Sequence, residues 1–348
     1  MDNLSFYRNK RVLVTGGAGS IGRELVRKIL DYDPFIVRVF DNNETGLFDL
    51  ENDLGSNKIR PLIGDIRDKD RLLMAFDGID IVFHASALKH VPLCESNPFD
   101  AVKTNVIGTQ NVLDAALSKE VEKVINVSTD KAVSPTNVMG ATKLLAERLT
   151  ISANYYRGNK RTVFSSVRFG NVLNSRGSVI PLFLKQIQKG GPLTITDKKM
   201  TRFFMDIPSA IDLIINAGRI SQGRETFILK MSAMGISDLA QAMIEEYAPK
   251  YGFKPKDIKV QVIGIREGEK LYEELMTKEE AASAYENEEM FLILPQKITH
   301  EQPFEIKITR PFKKAKVEEF TSKKARLLSK DGIKKLIKKV GEDHANDP

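Results

Sequence analysis

The sequence predicts an α/β protein, a Rossmann-type doubly wound parallel sheet with a smaller, interleaved C-terminal substrate lobe. Three observations carry this. Short β-branched apolar runs alternate with helical stretches through the first half of the 348 residues, the rhythm of strands covered on both faces. The first run, Val12-Leu13-Val14-Thr15, leads into Gly16-Gly17-Ala18-Gly19-Ser20-Ile21-Gly22, a glycine loop that opens a helix. After about Phe169 the rhythm changes, with shorter strands and a Gly190-Gly191-Pro192 turn.

Each element has a local reason. Strands are expected at Arg11–Thr15, Ile36–Phe40, Ile59–Ile63, Ile79–His84, Val121–Ser128 and Thr162–Arg168, all short and rich in Val and Ile. Helices are expected at Ser20–Asp31, Asp68–Phe76, Asn97–Ser118 and Val138–Tyr156. Beyond Phe169, helices are expected at Pro208–Gly218 and at Ser237–Tyr247, with Ser237 as N-cap. The domain expectation is a dinucleotide-binding domain over residues 1–170, with return segments near 201–235. A substrate lobe over 171–300 and a basic extension over 301–348 complete it. No internal repeat or low-complexity stretch interrupts the chain.

Composition narrows the class. The chain is 42% hydrophobic and 28% charged, ordinary for a globular protein, and no apolar run nears the roughly 20 residues of a spanning helix. The first ten residues lack a signal-peptide core, so the expectation is cytoplasmic, with no membrane span. A single cysteine, Cys94, excludes an intrachain disulfide and reads as a buried, inert thiol. The net charge of +7 is concentrated in the lysines between Lys313 and Lys339. There, Leu328, Ile333, Leu336, Ile337 and Val340 mark the apolar face of a solvated helix, and no nucleic-acid motif accompanies it. The four histidines show no metal-ligand spacing, and no metal is expected.

The glycine loop fits dinucleotide recognition. Gly16, Gly19 and Gly22 let backbone approach a pyrophosphate, and Ser20 and Ile21 begin a helix whose N–H groups favour an anion. Asp41 closes the second strand, where a carboxylate accepts both adenosine-ribose hydroxyls and repels a 2′-phosphate. With no arginine in Asp41-Asn42-Asn43-Glu44, NAD is expected rather than NADP. Asp65 and Ile66 follow the third strand at the adenine position. Ala85, Ser86 and Ala87 follow the fourth, where small side chains admit the dinucleotide. His84 reads as a local hydrogen-bonding residue.

The chemistry lies in Ser128-Thr129-Asp130-Lys131 and Met139-Gly140-Ala141-Thr142-Lys143. Reductases with such a βαβ unit present a tyrosine four residues before the lysine, and this chain has Met139, whose thioether neither gives nor takes a proton. Met139 and Lys143 share one helix face and are expected to face one site. Acid–base work then falls to Asp130 and Lys131. The plainer readings are a structural ion pair at a strand end and, for Met139, loss of activity.

Taken together, Thr15-Gly-Gly-Ala-Gly-Ser-Ile-Gly22, Asp65-Ile66, Ala87-Leu-Lys-His-Val-Pro92, Lys103-Thr-Asn-Val-Ile-Gly-Thr109, Ser128-Thr-Asp-Lys-Ala132, Asn137-Val-Met-Gly-Ala-Thr-Lys143, Arg168-Phe-Gly-Asn-Val172, Ser175-Arg-Gly-Ser-Val-Ile-Pro181 and Met200-Thr-Arg-Phe203 form a pattern. It resembles the soluble UDP-N-acetylglucosamine 4,6-dehydratases of bacterial and archaeal glycan biosynthesis, in the extended short-chain dehydrogenase/reductase superfamily. The resemblance implies oxidation at C4, loss of water across C5 and C6, and hydride return to C6. It implies Asp130 as acid toward the C6 hydroxyl and Lys131 as base toward C5–H, which calls for a neutral lysine and a protonated aspartate. Lys143 would hold the nicotinamide ribose, and Asn105 would join the cofactor set. Thr129 would orient the C4 hydroxyl, whose proton goes to Asp130, Lys131 or water. Lys89, Asn171, Arg176 and Arg202 are implied around the UDP-sugar, with Glu269 at the uridine ribose. Asp41 leans toward the C5-retaining, NAD-using branch, while Glu267–Glu280 is similar to the inverting branch. Relatives pair through helices matching Asn97–Ser118 and Val138–Tyr156, so a homo-oligomer is expected, with the Leu327–Val340 helix as a further latch. The competing readings are a UDP-sugar 4-epimerase and a non-catalytic NAD-binding protein whose basic tail meets RNA.

Overall fold

The computed structural model describes residues 2–158, 160–173, 178–295, 306–308 and 311–344. The chain divides into two compact units. One runs to Arg168 and takes back Ala210–Lys230 and Met276–Glu319; the other holds Phe169–Ser209, Met231–Leu275 and the chain from Phe320 on.

The first unit is a Rossmann-type sheet. Its strands β1 (Arg11–Thr15), β2 (Ile36–Asp41), β3 (Ile59–Ile63), β4 (Ile81–His84), β5 (Lys123–Val127) and β6 (Val163–Arg168) lie in the order β3-β2-β1-β4-β5-β6, all parallel. Strand order reverses between β1 and β4, where doubly wound sheets take their ligands at the carboxyl ends. Thr226–Leu229 extends the sheet in parallel beside β6, and Met290–Ile293, Ala284–Glu286 and Lys313–Lys314 close that edge antiparallel. These returning strands move the expected lobe boundary: an open edge beside Thr226–Leu229 is capped by chain that the sequence assigned to the substrate lobe and the tail.

One rung of this apolar sheet is polar. Thr15, His84, Asn126, Ser166 and Thr226 are register partners across five adjacent strands, and all are buried. Thr15 Oγ lies 2.7 Å from His84 Nδ1, and His84 Nε2 lies 3.0 Å from Thr109 Oγ. The Thr109 hydroxyl donates its one proton to the Asn105 carbonyl, so His84 Nε2 carries hydrogen and Nδ1 accepts from Thr15. Burial, reinforced by the Lys143 charge, pushes His84 down from 6.5 to about 3.

Helix Val138–Tyr156 forms as expected, with Asn137 accepting from Gly140 N. The expected single helix over residues 97–118 is instead Pro98–Ala101, a wide π turn Val102–Gly108, and Thr109–Ser118. Gly108 sits against Ile66, where a Cβ would stand 2.6 Å from Ile66 Cδ1. The wide turn buries both Asn105 and Thr109. A helix at Glu44–Leu54 also escaped the periodicity reading; Asn43 caps its start and Gly55, at φ +54°, its end.

Arg168 ties this unit together. Its guanidinium binds Glu147 through Nε and Nη2 at 2.6–3.0 Å and Glu280 through Nη1 and Nη2 at 2.9 Å, with Arg168 and Glu147 buried. The two carboxylates raise the arginine's pKa against the cost of burial. Glu280 also closes a capping box with Thr277, so the end of β6, the long helix and the returning segment share one charge cluster.

The second unit pairs Thr201–Met205 with Ala233–Gly235 and with Asn171–Val172, and Leu193–Ile195 with Val260–Val262. Its core gathers Phe183, Ile187, Leu239 and Met243 with Ile333 and Ile337. The helix Lys330–His344 is therefore not a free extension. Ile333 and Ile337 are fully buried, Leu328 and Leu336 pack beside them, and the Tyr247 hydroxyl donates to the Ile337 carbonyl at 3.0 Å. Its lysines are spent locally as well. Lys330 and Lys334 pair with Glu245, holding that carboxyl at about 2, and Lys338 pairs with Glu246. The apolar face read as an oligomer latch is thus used inside its own unit; the Val340 side chain lies outside the described residues. Ser237 is not the N-cap of Ile236–Tyr247: Gly235 takes that position and Ser237 Oγ donates to the Lys198 carbonyl.

Two outcomes follow from this packing. Ile337→Ala should cost about 2–5 kcal/mol in denaturant unfolding; a loss under about 0.5 kcal/mol would mean the helix is dispensable. For His84, the unfolded chain takes up the proton first as pH falls, because the folded value of about 3 lies below 6.5. Its contribution is complete above the unfolded value and is lost toward the folded one, about 2 kcal/mol between roughly pH 7 and pH 5. Urea unfolding at both pH values should show that slope in the wild type and a flatter one in His84→Gln; equal slopes would contradict it.

Candidate active site

The glycine loop is built by close approaches. Gly16, at φ +71°, lies under the Ala85–Ser86 backbone, where a Cβ would stand 2.7 Å from Ser86 N. At Gly22 a Cβ would stand 2.2 Å from the Gly16 carbonyl oxygen. Gly19 differs: a Cβ there would meet only that carbonyl, at 3.2 Å. It is the N-cap of Ser20–Leu30 and no side chain caps the helix. Ser20, Ile21 and Gly22 are the first residues of that helix, the place where backbone N–H groups and the dipole favour an anion. Gly16 and Gly22 shape the loop by close backbone contacts, and Gly19 is the least crowded of the three.

The remaining cofactor candidates divide. Asp41 accepts from Ala18 N and Asn43 N, both at 3.0 Å, so it holds the loop while its outer lone pairs stay available. Asp65 is clasped by Arg67 through Nε and Nη2 at 2.6–3.0 Å, which lowers its pKa. Arg67 was not singled out in the sequence; its spacing of two from Asp65 was the available signal. Ile66 is a core side chain. Ala85 continues β4 by donating to the Thr15 carbonyl, with Ser86 and Ala87 half-buried beyond it. Asn105 is engaged within the protein. Its Oδ1 accepts from Leu88 N at 2.7 Å, and its Nδ2 donates to the Leu88 carbonyl and to Thr142 Oγ, each at 3.0 Å. It fastens the loop after β4 to the long helix.

At the end of β5 the structure gathers Thr129, Asp130, Lys131 and Lys143. Asp130 is fully buried. Its Oδ1 accepts from Lys131 Nζ and from the Thr129 hydroxyl, both at 2.9 Å, and its Oδ2 has no protein hydrogen-bond partner. Lys131 keeps 24% of its side chain exposed, so the buried carboxylate is bound by an amine that still meets solvent. Lys143 is buried and donates to the Val127 carbonyl at 2.6 Å. Desolvation brings it down to about 8, with Glu147 opposing. Met139 packs with Cys94 and Ala101, against Val91 and Val138. The sulfur completes an apolar patch.

The substrate candidates are scattered. Lys89 is exposed in the first unit, after β4. Asn171 and Arg202 lie in the second unit, and Arg176 lies outside the described residues. Arg202 is already engaged. It donates to the carbonyls of Thr201, Lys270 and Leu271 at 2.7–3.3 Å and lies 3.7 Å from Glu269 and 3.5 Å from Glu273. Arg202 and Glu269 are thus brought together, with Arg202 holding the Glu269–Glu273 segment. Asn126, which the sequence reading passed over, and Ser128, which it quoted within its motif without a role, are buried polar residues on either side of Val127. Asn126 had a signal, an amide inside an apolar strand.

Comparison with known proteins agrees with this architecture. The chain is 55% identical, over 97% of its own length and 98% of the relative's, to an "uncharacterized membrane protein" of Methanocaldococcus jannaschii. Among the described residues of the present chain no helix is long and apolar enough to cross a membrane. It is 41% identical to a Campylobacter jejuni "UDP-N-acetylglucosamine 4,6-dehydratase (inverting)", covering 83% of this chain and 84% of that one. It is 37% identical to a Rickettsia canadensis "UDP-glucose 4-epimerase", covering 95% and 96%. The X-ray structure of Pen from Bacillus thuringiensis matches with a TM-score of 0.88 at 45% identity, over 96% of this chain and 98% of that one. Residues 12–295 match the family described as "Polysaccharide biosynthesis protein", and the chain belongs to that family.

Proposed function

We propose that the chain is a nucleotide-sugar 4,6-dehydratase that uses NAD and converts UDP-N-acetylglucosamine to a UDP-4-keto-6-deoxy-N-acetylhexosamine. The observation that carries this reading is the buried Asp130 carboxylate bound to Lys131 and Thr129, with Met139 turned into an apolar patch. A nicotinamide, when bound, would take hydride from C4 and return it to C6.

The residues supply the rest. Elimination needs a neutral amine toward C5–H and a protonated carboxyl toward the C6 oxygen. An Asp⁻–Lys⁺ pair becomes that acid–base pair by moving one proton along the 2.9 Å hydrogen bond, with none drawn from solvent. Closing a sugar over Lys131 removes its remaining water and favours the neutral form of both groups. Lys131 then takes the C5 proton and Asp130 protonates the departing hydroxyl, which restores the ion pair. A 4-epimerase leaves the C5 proton in place and would leave this pair idle, which sets the dehydratase reading above the epimerase one. The 41% identity to an enzyme named as inverting supports inversion at C5 as the second reading.

For the cofactor, Asp41 supports NAD, since its carboxylate stands at the loop where a 2′-phosphate would be repelled. Phe99, Ile107 and Leu145 on the helical face of the first unit are 80%, 49% and 51% exposed. Such apolar exposure favours a homo-oligomer.

Mass spectrometry after incubation with UDP-N-acetylglucosamine and NAD should show loss of one water; an unchanged mass sinks the reading, and an isomer of equal mass points to epimerisation. Running the reaction in D2O and reading C5 by NMR separates retention from inversion. Lys131→Ala should abolish water loss while NAD binding stays within about twofold; turnover retained by that variant would remove Lys131 as the base. Gly19→Ala sets a Cβ 3.2 Å from the Gly16 carbonyl oxygen, a close contact that the loop must ease, so thermal unfolding should drop slightly while NAD affinity falls by tenfold or more; undiminished affinity would take the pyrophosphate away from this loop.

A further inference from the structure

The proposed turnover leaves one proton to place. C4 oxidation releases a hydroxyl proton. Elimination then returns Asp130 and Lys131 to the ion pair, and protonating C5 from Lys131 leaves Asp130 ionised beside a neutral amine. The next turnover needs a proton on Asp130, so the proton lost at C4 is the one Asp130 requires.

A column of buried polar atoms leads to that carboxylate. Asn126 and Ser128 are alternate residues of an extended segment, so they face the same side of the sheet. That segment stays paired beyond β5, with Ser128 N donating to the Val167 carbonyl. Asn126 shares its rung with His84, whose ring meets helix residue Thr109, so this side is covered by helices. Asn126 Oδ1, Ser128 Oγ and Asp130 Oδ2 are all buried and have no protein hydrogen-bond partner; the three residues are 0%, 4% and 0% exposed. Lys143 reaches the same strand end, donating to the carbonyl of Val127, between Asn126 and Ser128. The helix that carries Lys143 is bound through Thr142 to Asn105, whose carbonyl takes the Thr109 hydroxyl beside His84, so this helix lies over the same face. One of the three N–H groups of Lys143 is used by the bond to Val127, which leaves donors for the orphaned acceptors. Buried polar atoms without protein partners are the usual seat of ordered water.

We infer that Lys143, Ser128 and Asn126 form, with bound water, an internal relay that accepts the C4 hydroxyl proton and delivers it to Asp130 Oδ2. The relay rests on the dehydratase reading and supplies the acceptor that Met139 cannot be. No bond to carbon is made or broken by the relay: the hydroxyl O–H breaks as a Lys143 N–H forms, and once elimination has ionised Asp130 that N–H breaks and the carboxyl O–H forms. Lys143, at about 8, lies where both protonation states are populated near neutral pH. Ser128 and Asn126 are positioning residues that act through water.

The test is a kinetic isotope effect on kcat with UDP-N-acetylglucosamine deuterated at C4. Crippling the proton acceptor makes C4 oxidation the slow step. Ser128→Ala should lower kcat tenfold or more, raise the C4 isotope effect to about twice the wild-type value, and leave KM and calorimetric NAD binding unchanged. Ser128→Thr, which keeps the hydroxyl, should recover most of the rate. Asn126→Ala provides the second variant should Ser128→Ala fail to fold, and the same rise in isotope effect is expected of it. A folded variant that turns over at the wild-type rate, or slowly with an unchanged isotope effect, overturns the relay. Wild-type protein that releases no water overturns the dehydratase reading itself, a separate outcome.

Discussion

A carboxylate stripped of solvent must be neutralised, and Asp130 is neutralised by the next residue in the chain. The two groups meet across 2.9 Å, with Asp130 buried and Lys131 still partly wet. Drying Lys131 is then what brings the neutral acid and base within reach. Thr129 adds a second donor to the same oxygen, leaving Oδ2 for a proton.

Much of the first unit serves to hold that pair in place. The long helix after it is anchored at its first turn by Asn137, in its middle by the Lys143–Val127 and Thr142–Asn105 contacts, and further on by Glu147 with Arg168. The wide turn at Val102–Gly108 aims Asn105 inward, and Asn105 in turn sets the loop after β4 beside the glycine loop. Removing one partner from the Arg168 cluster would strand a buried charge, a cost of about 3–5 kcal/mol. The same helix that carries Lys143 is thereby tied to the returning strands.

What the sequence revealed follows a physical division. The six parallel strands, the glycine loop and the Asn137-capped helix were legible because their causes are local: β-branched runs, backbone room and a cap within three residues. Partners far along the chain were not. Arg202 was read by residue type as a group near the substrate, but nearby carbonyls claim it, and Arg168, quoted only within its motif, is claimed by carboxylates 21 and 112 residues away. Asn105 fastens a loop to a helix within the protein. Met139 and Lys143 share a helix spacing, and neighbours from Val91–Ser96 pack against the methionine. In the lysine-rich tail the apolar stripe was legible, but not that it belongs to the core of the second unit, whose other members lie far upstream. The lobe boundary shifted because an open sheet edge recruits strands from downstream, a requirement that no local pattern expresses.

The central claim, that the Asp130–Lys131 ion pair converts to a neutral acid–base pair when the site closes, is open to one direct observation. Isotope-edited infrared difference spectroscopy on protein carrying 13C-labelled aspartate, with Asp130→Asn to assign the band, reads the protonation of this carboxyl. Adding NAD and UDP-N-acetylglucosamine to the Lys131 wild type at low temperature should replace the ionised Asp130 carboxylate band with that of a protonated carboxyl. An Asp130 band that stays ionised throughout the bound state would contradict the account.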